Sequence, residues 1–347
     1  MAIPRKATSF DIAQLAGVSQ PTVSRALRGS PTVSEATRAR IQAIARQLNY
    51  TVDRAASNLR SGQTRTLALL IFQDPTPDVT VINPFFLAMI GPMIATCAEH
   101  GYDLLVSFQQ ASSDWHADYA DGHRADGLIL LGYGDYSAYR ARLDQLVAQG
   151  TSFVRWGSVQ PGQPGPIVGC DNVAGGHAAA RHLIATGRRR IAFLGRADVH
   201  YPEFDDRHRG VRAAMEEAGL VPDPLLQVDA LSTEEDGTRA AETLLAREVP
   251  FDAIVAASDL IALSAMRVLA AAGRRVPEDV ALVGFDDIPA ASLSNPPLTT
   301  VVQDSANAGR TLVELLLGRI RGEVGGGVIL PTRLVVRASS HAGTLPQ

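Results

Sequence analysis

Between residues 8 and 50 the apolar positions recur with a period near 3.6, and turn residues cut the pattern into three short helices. Thr8 or Ser9 can cap the first, and Ile12, Ala13, Leu15 and Ala16 supply its apolar face. Gly17 suits a tight turn, and Val18 plugs a small core. Ser19 caps the second helix, whose first turn accepts Pro21 because the missing N–H has no partner there anyway. Val23, Ala26 and Leu27 face inward, which leaves Gln20, Pro21, Thr22, Ser24 and Arg25 facing outward. A third helix begins near Ser34, with Glu35 at its positive end and Ile41, Ile44, Ala45 and Leu48 as its buried stripe. Beyond Tyr50, Asp53 can cap a further short helix that ends before Gly62.

From Thr66 the pattern changes to short β-rich runs alternating with helical ones. TLALLIF, YDLLVSF, GLILL and SFVRW read as strands, with helical stretches around 85–99, 114–122 and 138–149. A second series follows: IVGC, RIAFLG, DAIVAA and VALVGF, with helices near 173–186, 206–219, 234–247 and 259–272. Such alternation predicts parallel sheets covered on both faces, and two successive series predict two similar lobes. Open parallel sheets take ligands at the C-terminal ends of their strands. Aromatics (Phe85, Phe86, Tyr133, Tyr136, Trp156) gather at those ends in the first series, and charged groups (Arg207, Asp259, Asp286) in the second. A flat, hydroxylated ligand would stack on one wall and hydrogen-bond to the other.

Length and charge sharpen this picture. A chain of 347 residues, 46% hydrophobic and 20% charged, is expected to fold as two or three soluble domains. No run approaches the roughly 20 apolar residues that cross a membrane. The start MAIPRKATSFDIA lacks an apolar secretory core, so the expected location is cytoplasmic. Cys97 and Cys170 are the only cysteines, without metal-like or redox spacing, so inert buried thiols are expected and no metal or cofactor. His177 and His182, five apart on a helix, face different directions.

The net charge of −4 hides a division: residues 1–65 carry ten basic and three acidic side chains, the remainder 22 basic and 33 acidic. A basic head on an acidic body points to a polyanion-binding module joined to something that avoids polyanions. Lys6 is the only lysine and follows Arg5, which excludes a lysine-dependent phosphate loop and, in the body, Schiff-base chemistry. Asp286 and Asp287 have no acid–base partner or metal cluster beside them, so an enzyme is not expected. In a helix-turn-helix, the second helix meets base edges in the major groove with its N-terminal residues. Gln20 can pair with adenine and Arg25 with guanine, each worth about 1–3 kcal/mol of discrimination, while Pro21 offers apolar contact.

The head closely resembles the lactose-repressor (LacI/GalR) family of bacterial transcription regulators. The resemblance runs through D-I-A-x-x-A-G-V-S-x-x-T-V-S-R-A-L, V-S-x-x-T-R-x-R-I and L-N-Y. It implies base readout by Gln20, Pro21 and Arg25, with phosphate contacts from Thr22, Ser24 and Asn49. It also implies that residues 52–62 are a hinge helix, two copies of which pair across the minor groove. Leu59 would wedge into the central base step and Arg60 would lie beside the backbone. Val52 and Ser57 stand where family members commonly have Pro and Arg.

The body shares the resemblance through D-N-V-A-G-G-H-x-A-x-x-H-L, R-R-I-A-F-L-G, V-P-E-D-V-A-L-V-G-F-D-D-I and N-P-P-L-T-T-V. The implied fold is an all-α helix-turn-helix head plus an α/β two-lobed periplasmic-binding-protein-like domain with parallel sheets. The implied ligand residues are Phe85 or Phe86, Arg207, Asp286 and Ser258, the last standing where many members have Asn. Ser258 can equally cap the helix that follows, and Arg207 can pair with Glu203 or Asp206 on the surface. The expected organisation is a head over 1–51, the hinge over 52–62 and the body over 63–347. Within the body, the first lobe is expected at about 63–166 and 301–328 and the second at about 167–300 and 329–347.

The expected protein is a homodimeric repressor of a near-palindromic duplex operator, controlled by a small-molecule effector. Trp156 and the tyrosines, set against acids and Arg207, favour a sugar or glycoside; a purine or another metabolite would also stack. A solute-binding protein for transport fits the body but leaves the basic head unexplained.

Overall fold

The computed structural model describes residues 7–27, 29–50, 63–72, 82–108, 114–132 and 134–341. Two compact units emerge, one running to Thr64 and the other starting at Arg65.

The first unit holds α1 (Ser9–Ala16), α2 (Gln20–Leu27) and α3 (Glu35–Gln47). Thr8 starts α1 through a capping box, its hydroxyl accepting the Asp11 N–H while the Asp11 carboxylate accepts the Thr8 N–H at 2.7 Å. Gly17 takes φ 64°, a left-handed turn that costs a side-chain-bearing residue strain. Ile12, Ala13, Ala16, Val23, Ala26, Val33, Ile41 and Ala45 form the core, with Val18, Leu27, Ile44 and Leu48 packed against it. Leu15 departs from expectation, being 63% exposed. It lies roughly 100° around the helix from the centre of the buried 12–13–16 stripe. Ser19 also behaves differently: its hydroxyl meets the Thr22 hydroxyl at 2.9 Å, and its carbonyl receives the Thr22 and Val23 N–H groups.

The second unit has two lobes, each built on a six-stranded sheet. In the first, β1 (Thr66–Ile71), β2 (Asp103–Phe108), β3 (Gly127–Leu131), β4 (Phe153–Trp156), β5 (Ile167–Cys170) and β11 (Val328–Leu330) lie parallel in the order β11-β5-β4-β3-β1-β2. The second holds β6 (Ile191–Leu194), β7 (Gln227–Val228), β8 (Ala253–Ala256), β9 (Ala281–Asp286), β10 (Thr299–Gln303) and β12 (Thr332–Val335) in the order β12-β10-β9-β8-β6-β7. Only β12 runs antiparallel there. In each sheet the first strand sits between its second and third, so the winding direction reverses at β1 and at β6. Ligands of open parallel sheets lodge at such switch points.

Helices α4 (Pro84–Glu99) and α5 (Tyr136–Ala148) and a π-helical turn over His116–Asp121 follow strands of the first lobe. The second lobe carries α6 (Asn172–Ala185), α7 (Pro202–Glu217), α8 (Glu234–Ala246), α9 (Asp259–Ala271) and the short α10 (Pro289–Leu293). Helix α11 (Ser305–Ile320) returns to pack on β3, β4 and β5.

The lobe boundaries differ from those expected. IVGC, grouped by its position with the second series, is β5 of the first sheet, paired with β4 through Arg155↔Ile167 and Trp156↔Val168. Consequently the chain crosses between lobes after Cys170, after Gln303 and after Leu330. An apolar strand buried on both faces carries no mark of which sheet it joins. Backbone registry decides that.

Candidate functional site

The head presents the start of α2 as an open face. Pro21 and Arg25 are exposed, and Gln20, Thr22 and Ser24 are half-buried around them. The Gln20 side-chain amide donates to the Ser9 hydroxyl at 3.2 Å, and Arg25 Nε donates to the Pro21 carbonyl at 3.3 Å. Both side chains are thus held over the helix start, where the peptide dipoles leave partial positive charge. Asn49 is exposed just after α3 with φ 47°, a left-handed conformation that Asn tolerates better than most residues. Arg38 belongs to the scaffold, because its Nη2 ties the Ser30 and Val33 carbonyls at 2.9 and 3.3 Å. Leu59 and Arg60 lie outside the described residues, as does the segment expected to form the hinge.

Between the lobes, a polar cluster forms where β6, β8 and β9 end. Arg207 on α7 is 1% exposed, not on the surface as its neighbours Glu203 and Asp206 suggested. Its guanidinium stacks 3.8 Å from the Phe285 ring centroid, donates through Nε to Asn172 Oδ1 at 2.8 Å and reaches the Ala257 carbonyl. Asp286 is its ionic partner at 3.8 Å, and Gln303 Nε2 donates to the same Asp286 oxygen at 2.5 Å. Asp286 and Asp287 have φ 115° and 55°, strained for non-glycine residues. Strain of this kind collects at ligand sites, where surrounding contacts over-determine it.

Asp259 departs from its expected role, whereas Ser258 takes the capping role that was one of its two expectations. Asp259, expected to face the ligand, is fully buried with Oδ1 accepting the Thr300 hydroxyl at 2.6 Å and Oδ2 accepting the Ile288 N–H at 2.9 Å. Its carboxylate ties the start of α9 to β10 and to the turn after Asp286, so it positions that turn without facing the cleft. Burial pushes its carboxyl well above the usual range, and the Asp286 charge adds to this. Ser258 does cap α9, accepting the Ile261 N–H at 3.4 Å. It also accepts from the Ser232 hydroxyl at 2.8 Å, which in turn receives Asn83 Nδ2 at 3.0 Å. Asn83 caps α4 of the first lobe, so this relay crosses the lobe boundary.

Phe85, Phe86 and Trp156 form the first-lobe wall. All three are buried, with Phe85 5.3 Å from Phe86 and 5.8 Å from Trp156 between ring centroids. Tyr133 lies outside the described residues. A cleft of about 860 Å³ opens between the lobes, lined by Tyr136, Arg140, Cys170, Asn172, Asp206 and Arg209 among others. It lies beside the Arg207 cluster, on the side where the chain crosses between lobes, and is not centred on it.

Sequence reasoning missed several members of this site. Gln303 stands at the end of β10, a strand end that the alternation rule was not extended to. Asn172 and Asn83 look like ordinary caps. Glu203 accepts the Ser158 N–H at 2.9 Å, and Asp206 accepts the Ser158 hydroxyl at 2.5 Å, both across the lobe boundary. Burial pushes both carboxyls up. Cys170 is buried, donates to Gln303 Oε1 at 2.8 Å, and has its thiol pushed up to about 12 by burial. No cluster of His, Cys, Asp and Glu among the described residues could hold a metal ion.

Comparison with known proteins fits this geometry. The family model "Bacterial regulatory proteins, lacI family" matches residues 10–53, and "Periplasmic binding protein-like domain" matches residues 180–340. The HTH-type transcriptional regulator CelR of Thermobifida fusca is 35% identical over 342 residues, spanning 96% of this chain and 98% of that protein. The HTH-type transcriptional repressor CytR of Escherichia coli (strain K12) is 30% identical over 344 residues, 97% of each. A solved CelR–cellobiose complex aligns with TM-score 0.72 at 34% identity, covering 96% of this chain and 99% of that one. The lac repressor dimer bound to operator and the anti-inducer ONPF aligns with TM-score 0.83 at 25% identity, covering 97% and 99%.

Proposed function

The chain belongs to the lacI family of bacterial regulatory proteins, and on that premise we propose a homodimeric, cytoplasmic repressor whose operator affinity is set by a sugar or glycoside. It is a DNA-binding transcription regulator with a metabolite-responsive two-lobed body. The observation that carries the sugar reading is the division of the interlobe site: Arg207, Asp286, Gln303 and Asn172 on one side, Phe85, Phe86 and Trp156 on the other. Hydroxyl-rich rings need such a polar set against an aromatic wall. CelR, bound to cellobiose in its solved complex, supports the same class of ligand.

Gln20, Pro21 and Arg25 read bases, Thr22, Ser24 and Asn49 hold phosphates, and Leu59 and Arg60 act at the minor groove. Phe85, Phe86, Tyr133, Trp156, Arg207, Ser258 and Asp286 make up the effector site. Arg207 and Asp286 stand on the second lobe and the aromatics on the first, so ligand contact with both biases the angle between lobes. Its effect on operator binding equals its differential affinity for the two angles.

Titration calorimetry with a panel of β-linked disaccharides, monosaccharides and nucleobases tests this reading, with operator binding followed in parallel by fluorescence anisotropy. The expected result is binding of a sugar that changes operator affinity. Binding of a nucleobase alone would favour the purine-responsive alternative.

A further inference from the structure

Arg155 stands next to the end of β4 with its side chain fully buried, and none of its three guanidinium nitrogens makes a hydrogen bond of good geometry among the described residues. Its cation lies 5.2 Å from the centroid of the Tyr136 ring, and the Tyr136 hydroxyl is likewise buried without a hydrogen bond. The Tyr139 hydroxyl lies close enough to interact with the guanidinium, yet none of the three nitrogens makes a hydrogen bond of good geometry. Attraction to an aromatic face offsets part of the desolvation of a cation. Five N–H donors in a planar fork still remain unused, and buried charges are ordinarily paired.

Glu203 is the nearby carboxylate across the lobe boundary. A Cβ placed on Gly157 would sit 2.7 Å from Arg155 Nη1 and 2.9 Å from Glu203 Oε1, so the two groups flank that glycine without forming an ion pair. Glu203 is occupied by the Ser158 N–H. It stands one helical turn before Arg207 on α7, hence on the same side of that helix. Asp286, Arg207, Glu203 and Arg155 therefore make a row of buried charges of alternating sign, running from the second lobe to the first. The row ends on an unpaired cation. The position after it calls for negative charge in a planar, two-oxygen form, which is the geometry of a carboxylate.

We propose that Arg155, together with the Tyr136 hydroxyl, is a second anchoring point of the effector site and selects a sugar that carries a carboxylate, a uronate unit, over its neutral counterpart. The inference rests on the sugar reading given above. The guanidinium is closed off from solvent at this lobe angle, so the ligand enters with the lobes parted and is enclosed as they close. A ligand that reaches both Arg207 and Arg155 fixes the lobes at one angle, so the contact that selects it also transmits its presence.

Calorimetry on the full chain with cellobiose, cellobiouronic acid, glucose and glucuronic acid tests the proposal, alongside Arg155→Met and Arg155→Lys. The wild type is expected to bind the acidic member of a pair about tenfold tighter than the neutral one, the size of a charge-assisted bidentate contact. Arg155→Met should erase that ratio while leaving the neutral sugars within about threefold. Arg155→Lys, which keeps the charge and loses the fork, should fall between them and keeps the test open if the Met variant melts early. A wild-type ratio near one, or an equal loss for acidic and neutral sugars in Arg155→Met, overturns the proposal and leaves the sugar reading standing. Binding of none of the four overturns both.

Discussion

Gly210→Ala is expected to weaken the effector site from a distance, through the backbone. Helices α6 and α7 touch main chain to main chain. An alanine Cβ at 210 would sit 2.0 Å from the Val173 carbonyl oxygen and 2.7 Å from the His177 nitrogen. A Cβ at Gly176 would meet the Arg207 carbonyl oxygen at 2.0 Å, so the two helices interlock at the segment that holds Arg207. No side chain can yield here, and α7 must retreat by about 1 Å in a close-packed interior. Overpacking of that kind costs about 1–3 kcal/mol, against about 1 kcal/mol that Ala gains over Gly inside a helix. The net destabilisation of up to about 2 kcal/mol should lower the Tm of the body by up to about 4 °C. Moving Arg207 by the same distance breaks its 2.8 Å bond to Asn172 and its contact with the Ala257 carbonyl. Sugar affinity should then fall about tenfold, the worth of one or two hydrogen bonds. Differential scanning calorimetry and sugar titration measure the two effects. An unchanged or raised Tm with unchanged affinity, as alanine gives in an uncrowded helix, would refute the backbone contact.

Asp259→Ala should destabilise the second lobe by about 1–3 kcal/mol, since it leaves the buried Thr300 hydroxyl and Ile288 N–H without their acceptor; urea denaturation reads it. Arg25→Ala should cost about 1–3 kcal/mol of operator affinity in fluorescence anisotropy while sparing non-specific DNA, and an equal loss on both would deny base readout. His208 stacks 4.7 Å from Phe193, and burial, with Arg212 adding, pushes its imidazole down from 6.5 to about 4. The unfolded chain therefore takes up the proton first, so stability present above pH 6.5 is lost as pH falls from 6.5 toward 4. His208→Phe should flatten that part of the Tm–pH curve, and identical slopes would contradict it.

Much of the fold was legible because local signals agreed. Thr8, Gly17, Ser34 and the 3.6-residue stripes placed the three head helices, and β-rich runs with intervening helices placed most of the body. Leu15 misled because an apolar residue near a helical stripe satisfies the period without facing the core. Arg207 and Asp286 stand on α7 and at the end of β9, as strand-end reasoning and the family resemblance implied, and the structure brings them together. Asp259 misled because a strand-end acid can point back into its own lobe. Gln303, Asn172 and Arg155 gave no periodic signal, since each acquires its role only from groups on other elements of the fold.

The sequence by itself determined the division of labour: a basic three-helix head with Gln20, Pro21 and Arg25 outward, joined to an acidic α/β body. Those properties are carried by period, caps and charge count, all local to a stretch of chain. Tertiary structure alone decided that IVGC joins the first sheet, that the chain crosses between lobes three times, and that Asp286, Arg207, Glu203 and Arg155 share one buried row. Sheet membership and charge pairing depend on backbone registry and on desolvation by distant segments, neither of which leaves a trace in the order of residues along one strand or helix.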